Sequence, residues 1–184
     1  MAKKENKTER KEIKPFVIVF TGENLFSNKK EAFALNQQSR FGESKEGKII
    51  YSFYEALYLL EKKKVEIKQN NKKLTFEKFN EKIRELDNKI QTKYQVFKDM
   101  RNRGYIVKTA LKFGAEFRVY DKGVQPGEDH AKWILYPVRE SDGLTWHDFS
   151  AKNRVAHSTK KNLLIGIVDE ENDVTYYEIR WTKP

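Results

Sequence analysis

The sequence predicts an α/β protein of the mixed α+β kind, a small N-terminal α/β domain followed by a mixed-sheet C-terminal domain. Three observations predict it. Short runs rich in β-branched and aromatic residues, such as Phe16-Val-Ile-Val-Phe20 and Leu163-Leu-Ile-Gly-Ile-Val168, have the length and composition of strands. Between such runs lie stretches whose apolar residues recur at the helical period behind a capping residue. A domain boundary falls near residues 85–92, and beyond the helix that follows it, from Tyr105 on, the chain changes character and strands dominate.

In chain order, residues 1–14 are polar, mixed in charge and predicted as a flexible arm. The N-terminal domain spans 15–88. Phe16–Phe20 reads as a buried strand, Asn28 with Glu31 as the cap of a short helix through Ala32–Asn36, Gly42 to Gly47 as a turn, and Lys48–Tyr51 as a strand. Ser52 followed three residues later by Glu55 is a capping box, and Tyr54, Leu57, Tyr58 and Leu60 continue it as a helix into Lys62–Lys64. Val65–Ile67 is a strand and Gln69–Lys73 a turn. Thr75 caps a helix with the stripe Phe76, Phe79, Ile83, Leu86 and Ile90.

The C-terminal domain spans 89–184. Lys89–Asn102 reads as a helix with Tyr94, Phe97 and Met100 inward, stopped by Gly104. Tyr105–Leu111 and Glu116–Tyr120 form a hairpin about a turn at Lys112–Gly114. Residues 121–129 are a loop, and Lys132–Val138 is a strand whose Pro137 implies an edge or a strand end. Thr145 with Asp148 opens a helix to about Lys160. Leu163–Val168 is uninterrupted by polar residues and so central. Asp169–Asp173 is an acidic turn before a final strand, Val174–Thr182.

Composition bounds the chemistry. Among 184 residues, 37 Lys+Arg against 27 Asp+Glu leave a formal charge of +10, which points to an anionic partner, nucleic acid first. Cysteine is absent, which excludes disulfides, a thiol nucleophile and thiolate metal sites. Three histidines argue against a His-rich metal centre. No apolar run reaches the ~20 residues of a membrane span, and the charged start is no secretory leader. The expectation is a soluble cytoplasmic protein with no membrane partner.

The sequence contains no GxxxxGK[ST], GxGxxG, HExxH or GxSxG motif. What remains is a tyrosine at a strand end, Tyr120, a histidine in a loop, His130, and a lysine at a helix-to-strand junction, Lys161. Composition and periodicity do not select these three. A longer pattern does. The run Arg103-Gly-Tyr-Ile-Val-Lys-Thr-Ala-Leu-Lys-Phe-Gly-Ala-Glu-Phe-Arg-Val-Tyr120 resembles the signature RGYxVKTGLKFGADFRVY of the archaeal tRNA-splicing endonucleases. Gly123 and Pro126-Gly-Glu-Asp-His-Ala131 match that family's histidine loop, and Arg154-Val-Ala-His-Ser-Thr-Lys-Lys161 its RVAHSxRK block. Leu163–Asp169, Asp173–Tyr177 and Trp181-Thr-Lys-Pro184 match its C-terminal strands. Upstream, Arg40-Phe-Gly-Glu43 and Glu55–Glu61 resemble its N-terminal domain. The departures are Ala110 for the usual glycine, Glu116 for a frequent aspartate and Lys160 for a common arginine. The last leaves Lys160 as the alternative to Lys161.

The resemblance implies an endoribonuclease of the tRNA-intron endonuclease type that excises introns from precursor tRNA at bulge-helix-bulge sites. It implies no metal and no cofactor. Tyr120 matches the general base, His130 the general acid and Lys161 the charge stabiliser. A free phenol titrates near ~10, so cations such as Arg118 or Lys161 would have to assist it, whereas an imidazole's ordinary value near ~6.5 suits proton donation. The expected ends are a 2′,3′-cyclic phosphate and a 5′-hydroxyl. Arg154 matches an arginine that clamps a bulged base, Trp181 is a candidate for the same pocket, and His157 reads as a structural hydrogen-bonding residue. Two bulges call for two active sites, hence at least a dimer; the resemblance implies a homo-oligomer, a dimer of dimers in which final strands pair between subunits and the acidic loop Asp169, Glu170, Glu171 and Asp173 docks. The alternatives are a partner-dependent or non-catalytic subunit of a heterotetramer with a second subunit, and a non-enzymatic RNA-binding protein.

Overall fold

A computed structural model describes residues 12–111, 114–127 and 129–182 of the chain. Most of the expected arm (residues 1–11), the turn residues Lys112 and Phe113, Glu128 of the histidine loop, and the terminal Lys183 and Pro184 lie outside the described residues. Ile13, within the expected arm, is partly buried against the core, as its apolar side chain favours.

Two mixed sheets and five helices make a mixed α+β fold. The first sheet contains β1 (Phe16–Phe20), β2 (Leu25–Ser27), β3 (Glu43–Lys45), β4 (Lys48–Tyr51), β5 (Val65–Gln69) and β6 (Lys72–Leu74) in the order β3-β4-β2-β1-β5-β6. Only β1 and β5 pair in parallel. The predicted turn at 42–47 contains strand β3, because Glu46 and Gly47, both at positive φ, close a hairpin onto β4. The turn expected at Gln69–Lys73 contracts in the same way. Asn70 and Asn71 take left-handed φ values of 47° and 62°, as asparagine tolerates, and Lys72 already pairs with Gln69.

Helix α1 (Lys30–Ser39) starts from Lys29, without a side-chain cap, rather than from Asn28, and runs past Asn36. Asn36 turns its amide to the carbonyls of Phe41 and Gly42 instead. Helix α2 (Phe53–Glu61) has the predicted capping box: Ser52 Oγ accepts from the Glu55 N–H, and the Glu55 carboxylate accepts from the Ser52 N–H. It ends at Glu61, before the lysines. Thr75 caps α3 (Phe76–Leu86) as expected, with Phe79 and Ile83 fully buried. Leu86 is exposed, and Ile90 belongs to the next helix, so the predicted stripe crosses a helix break at Asp87.

Helix α4 (Ile90–Asn102) ends where Gly104, at φ 90°, lets the Tyr105 N–H reach the Met100 carbonyl. The second sheet, order β11-β10-β9-β8-β7, is built from β7 (Ile106–Ala110), β8 (Ala115–Tyr120), β9 (Trp133–Arg139), β10 (Asn162–Val168) and β11 (Val174–Ile179). The parallel pair β9 and β10 is joined through α5 (Trp146–Ser158). Both faces of this sheet are covered, which explains the unbroken apolar run of β10. Leu164 and Val168 join the core under α4, and Leu163 and Ile165 join a second cluster with Ala156 of α5. Gly166 lets α4 approach closely here: a Cβ would lie 3.0 Å from Val96 Cγ1 of α4 and 3.2 Å from a Tyr176 ring carbon, tight enough that these side chains would have to shift. Pro137 lies in an interior strand, not at an edge. The β8–β9 ladder runs only from Val119↔Trp133 to Phe117↔Leu135, so Pro137 lies beyond it.

One core joins the two sheets. Tyr54 of α2 packs edge-on to Phe117 of β8 with ring centroids 4.9 Å apart, and Phe97 of α4 contacts both rings. Inside this junction sits a buried ion pair, Lys108 Nζ to Glu55 Oε1 at 2.9 Å; the residues are 5% and 4% exposed. Lys108 also donates to the Gly42 carbonyl at 2.7 Å, and the Gly42 N–H donates to the same Glu55 oxygen at 2.9 Å. Among the described residues no helix is long and apolar enough to cross a membrane.

Candidate active site

Side chains alternate across β8. Val119 and Phe117 enter the main core, so Arg118 and Tyr120 face the α5 side of the sheet. Tyr120 is the last residue of β8 and is only 4% exposed, far from the surface position a strand-end tyrosine would take by default.

The chain then loops from Asp121 to Lys132. Gly123 and Gly127 adopt φ values of 84° and 95°, which other residues resist. The Lys132 N–H returns to the Val119 carbonyl at 2.9 Å and closes the loop. Lys132 and Asp121 pair across its base at 2.7 Å. Arg40, at the end of α1, donates through Nε to Gln125 Oε1 at 2.8 Å, so the first lobe braces the loop. His130 stands exposed near the loop's end, its N–H bonded to Asp129 Oδ1.

The third group comes from the end of α5. Lys160 takes the left-handed conformation, φ 55°, and the Lys161 N–H closes on the Ala156 carbonyl at 2.9 Å. That turn separates two neighbouring lysines. Lys160 is exposed, while Lys161 is half-buried and its ammonium donates to the Thr159 carbonyl at 2.7 Å.

Tyr120, His130 and Lys161 line one open cleft of about 400 Å³, together with Arg118, Gly127, Asp129 and Ala131. Lys160 is outside this lining and meets Lys161 only in an adjoining cavity. Burial, then the Arg118 charge, lower the pKa of Lys161 below the ordinary lysine value. A phenol, an imidazole and an ammonium facing one cleft can exchange protons and neutralise an anion there.

A smaller cavity of about 280 Å³ adjoins through Lys161. Asn153, His157, Lys160, Arg180 and Trp181 are among its walls. Trp181, 60% exposed, packs on the His157 ring with centroids 4.9 Å apart. His157 is exposed, its ring tilted 53° to that of Trp181. Arg154 is exposed on α5 and lines neither cavity. The acidic segment forms the β10–β11 turn. Asn172 is at φ 67°, Asp169 accepts from the Asp173 N–H, and Arg139 donates to the Asp169 carbonyl at 2.9 Å.

From the sequence, Arg118 is only a neighbouring cation and Glu43 has no part. Alternation along β8 is the signal that places Arg118 beside Tyr120. No sequence signal foretells that Glu43 of β3 reaches Arg118, at 3.6 Å, from the other sheet.

Comparison with known proteins agrees over nearly the whole chain. Residues 18–80 match the family description "tRNA intron endonuclease, N-terminal domain", and residues 90–176 match "tRNA intron endonuclease, catalytic C-terminal domain". A tRNA-splicing endonuclease of Thermococcus onnurineus is 41% identical over 170 residues, covering 92% of this chain and 98% of that protein. One from Pyrococcus abyssi is 41% identical over 164 residues, covering 89% and 94%. One from Nanoarchaeum equitans is 44% identical over 136 residues, covering 71% and 87%.

Proposed function

Because this chain belongs to the tRNA intron endonuclease family, and so is an endonuclease of tRNA splicing, we propose that it cuts precursor tRNA at bulge-helix-bulge sites with Tyr120, His130 and Lys161 and without a metal ion. The observation that carries this reading is the single cleft into which three separate elements deliver those side chains.

The RNA supplies its own nucleophile, the 2′-hydroxyl beside the scissile phosphate. Tyr120 removes its proton as the oxygen attacks phosphorus. The resulting phosphorane carries extra negative charge on its non-bridging oxygens, and the Lys161 ammonium neutralises it where it develops. His130 donates a proton to the departing 5′-oxygen. One P–O bond forms and one breaks, leaving a 2′,3′-cyclic phosphate and a 5′-hydroxyl. Bulged nucleotides are unstacked and can be held on side-chain faces. Arg154 and Trp181 are our candidates for that contact, with Trp181 in the cavity that adjoins the cleft.

The test uses intron-containing precursor tRNA with excess EDTA. The purified chain alone should cut it twice and leave cyclic phosphates. Cutting only after divalent metal is restored overturns metal independence. Cutting only with a second chain added overturns the homo-oligomer.

The homo-oligomer is a dimer of dimers in this reading. The turn of Asp169, Glu170, Glu171 and Asp173 docks into a neighbouring subunit, and the two domains are residues 15–88 and 89–184. Support comes from a cavity of about 670 Å³ between the two sheets, where Arg40, Lys62, Lys64 and Arg101 outnumber the carboxylates Glu12 and Asp121. Burial pushes the Arg101 guanidinium down to about 10, so an entering carboxylate would be welcome there. Changing Asp169 and Glu170 together to lysine should convert a tetramer to a dimer in light scattering. A tetramer unaltered by the change overturns docking.

A further inference from the structure

We propose that Arg118 is a fourth functional group of the cleft, which binds the non-bridging oxygens of the scissile phosphate and is held by Glu43 of the other lobe until RNA arrives. The proposal rests on the cleft being the cleavage site.

Three observations carry it. Arg118 shares the cleft lining with Tyr120, His130 and Lys161. Its Nε is buried and has no hydrogen-bond partner among the described residues. A buried donor left unpaired costs free energy that an arriving acceptor recovers. Among the described residues its nearest counter-charge is Glu43 Oε1, 3.6 Å from Nη2, a loose ion pair rather than a hydrogen bond, which keeps the guanidinium at the cleft and yields readily to a phosphate. A guanidinium offers two parallel N–H groups that match two oxygens of one phosphate, whereas the Lys161 ammonium acts as a point charge. The two cations would divide the work, with Arg118 fixing the phosphate and Lys161 meeting the charge that grows on it. The charge of Arg118 also helps to lower the Lys161 pKa, consistent with the two sharing one small space.

Glu43 belongs to β3 and is exposed, and its salt bridge to Arg118 crosses from one sheet to the other. A phosphate entering the cleft competes with this carboxylate, so the loose ion pair of the free enzyme gives way to the substrate.

The experiment compares wild type with Arg118→Met and Arg118→Lys in single-turnover cleavage of precursor tRNA. It also measures salt-dependent binding of the same RNA carrying 2′-deoxyribose at the cut sites. Arg118→Met should slow cleavage about 10²–10³-fold. It should also flatten the slope of log affinity against log salt by about 0.7–0.9 for each phosphate that is no longer neutralised. Arg118→Lys should recover part of the rate. A wild-type rate in Arg118→Met, or a slow rate with an unchanged salt slope, overturns the assignment. If His130→Ala also cuts normally, the cleft reading itself has failed, which separates the two. Should Arg118→Met lose its fold, Glu43→Gln decides. Releasing the arginine should tighten binding of the deoxy RNA several-fold, and unchanged or weaker binding overturns the proposal.

Discussion

Replacing His130 by alanine is expected to slow cleavage of precursor tRNA by about 10²–10⁴-fold, the usual contribution of a positioned general acid. The side chain stands exposed on a loop, so the loss should come without a change in melting temperature. In the proposed mechanism the proton is delivered only as the 5′-oxygen leaves, so substrate binding should be nearly unaffected. Tyr120→Phe removes the proposed base at the other end of that reaction, and its effect should be of similar size. The two act on one transition state, so the double variant should be far less impaired than the product of the single losses. Single-turnover rates of the three variants against melting curves check this. A His130→Ala enzyme within a few-fold of wild type would remove the histidine from the mechanism.

Replacing Lys108 by methionine should destabilise the fold by about 3–5 kcal/mol, the cost of leaving one partner of a buried ion pair alone. In a chain of this length that is roughly 10 °C in melting temperature. Burial works to raise the Glu55 pKa, but the Lys108 charge and hydrogen bond, with the N–H groups of Ser52 and Gly42, outweigh it and hold the carboxyl below its ordinary value. A depressed carboxyl contributes stability that is present above its unfolded pKa and lost as pH falls through the folded one. In Lys108→Met the remaining buried carboxylate is instead pushed up, and its penalty is fully felt at neutral pH. The gap between variant and wild type should therefore narrow on acidification. Melting curves from neutral to mildly acid pH test this, and a gap constant with pH would show that the ionisation of Glu55 plays no part.

Much of the fold was legible in the sequence because it is local. The Ser52–Glu55 box, the Thr75 and Thr145 caps and the stop at Gly104 are each set within a few residues, and each forms as expected. The errors come from the same locality. Asn28 looks like a cap, yet Lys29 takes the position and offers no side-chain bond there. Leu86 fits a helical stripe, but the break at Asp87 turns it outward. Pro137 reads as an edge or strand-end residue; its strand is interior, but Pro137 lies near that strand's end, in a stretch its β8 neighbour does not reach. At the site, the pattern from Arg103 to Tyr120 and the two later blocks marked three residues by resemblance. It could not show that Lys160 and Lys161 diverge, because that depends on one left-handed residue at a helix end. Nor could it show the reach of Glu43 and Arg40 from the first lobe, which is tertiary.

The core shared between the sheets has a consequence for how the chain is made. The first lobe leaves the ribosome with the rings of Tyr54 and Tyr58 and the carboxyl of Glu55 still lacking the neighbours that cover them, Phe97, Phe117 and Lys108. At about 5–20 residues per second those neighbours arrive only after several seconds. Throughout that interval the emerging lobe carries a wet, sticky flank and an uncompensated acid. The nascent chain thus has a timed window of vulnerability that closes when β8 is synthesised and docks.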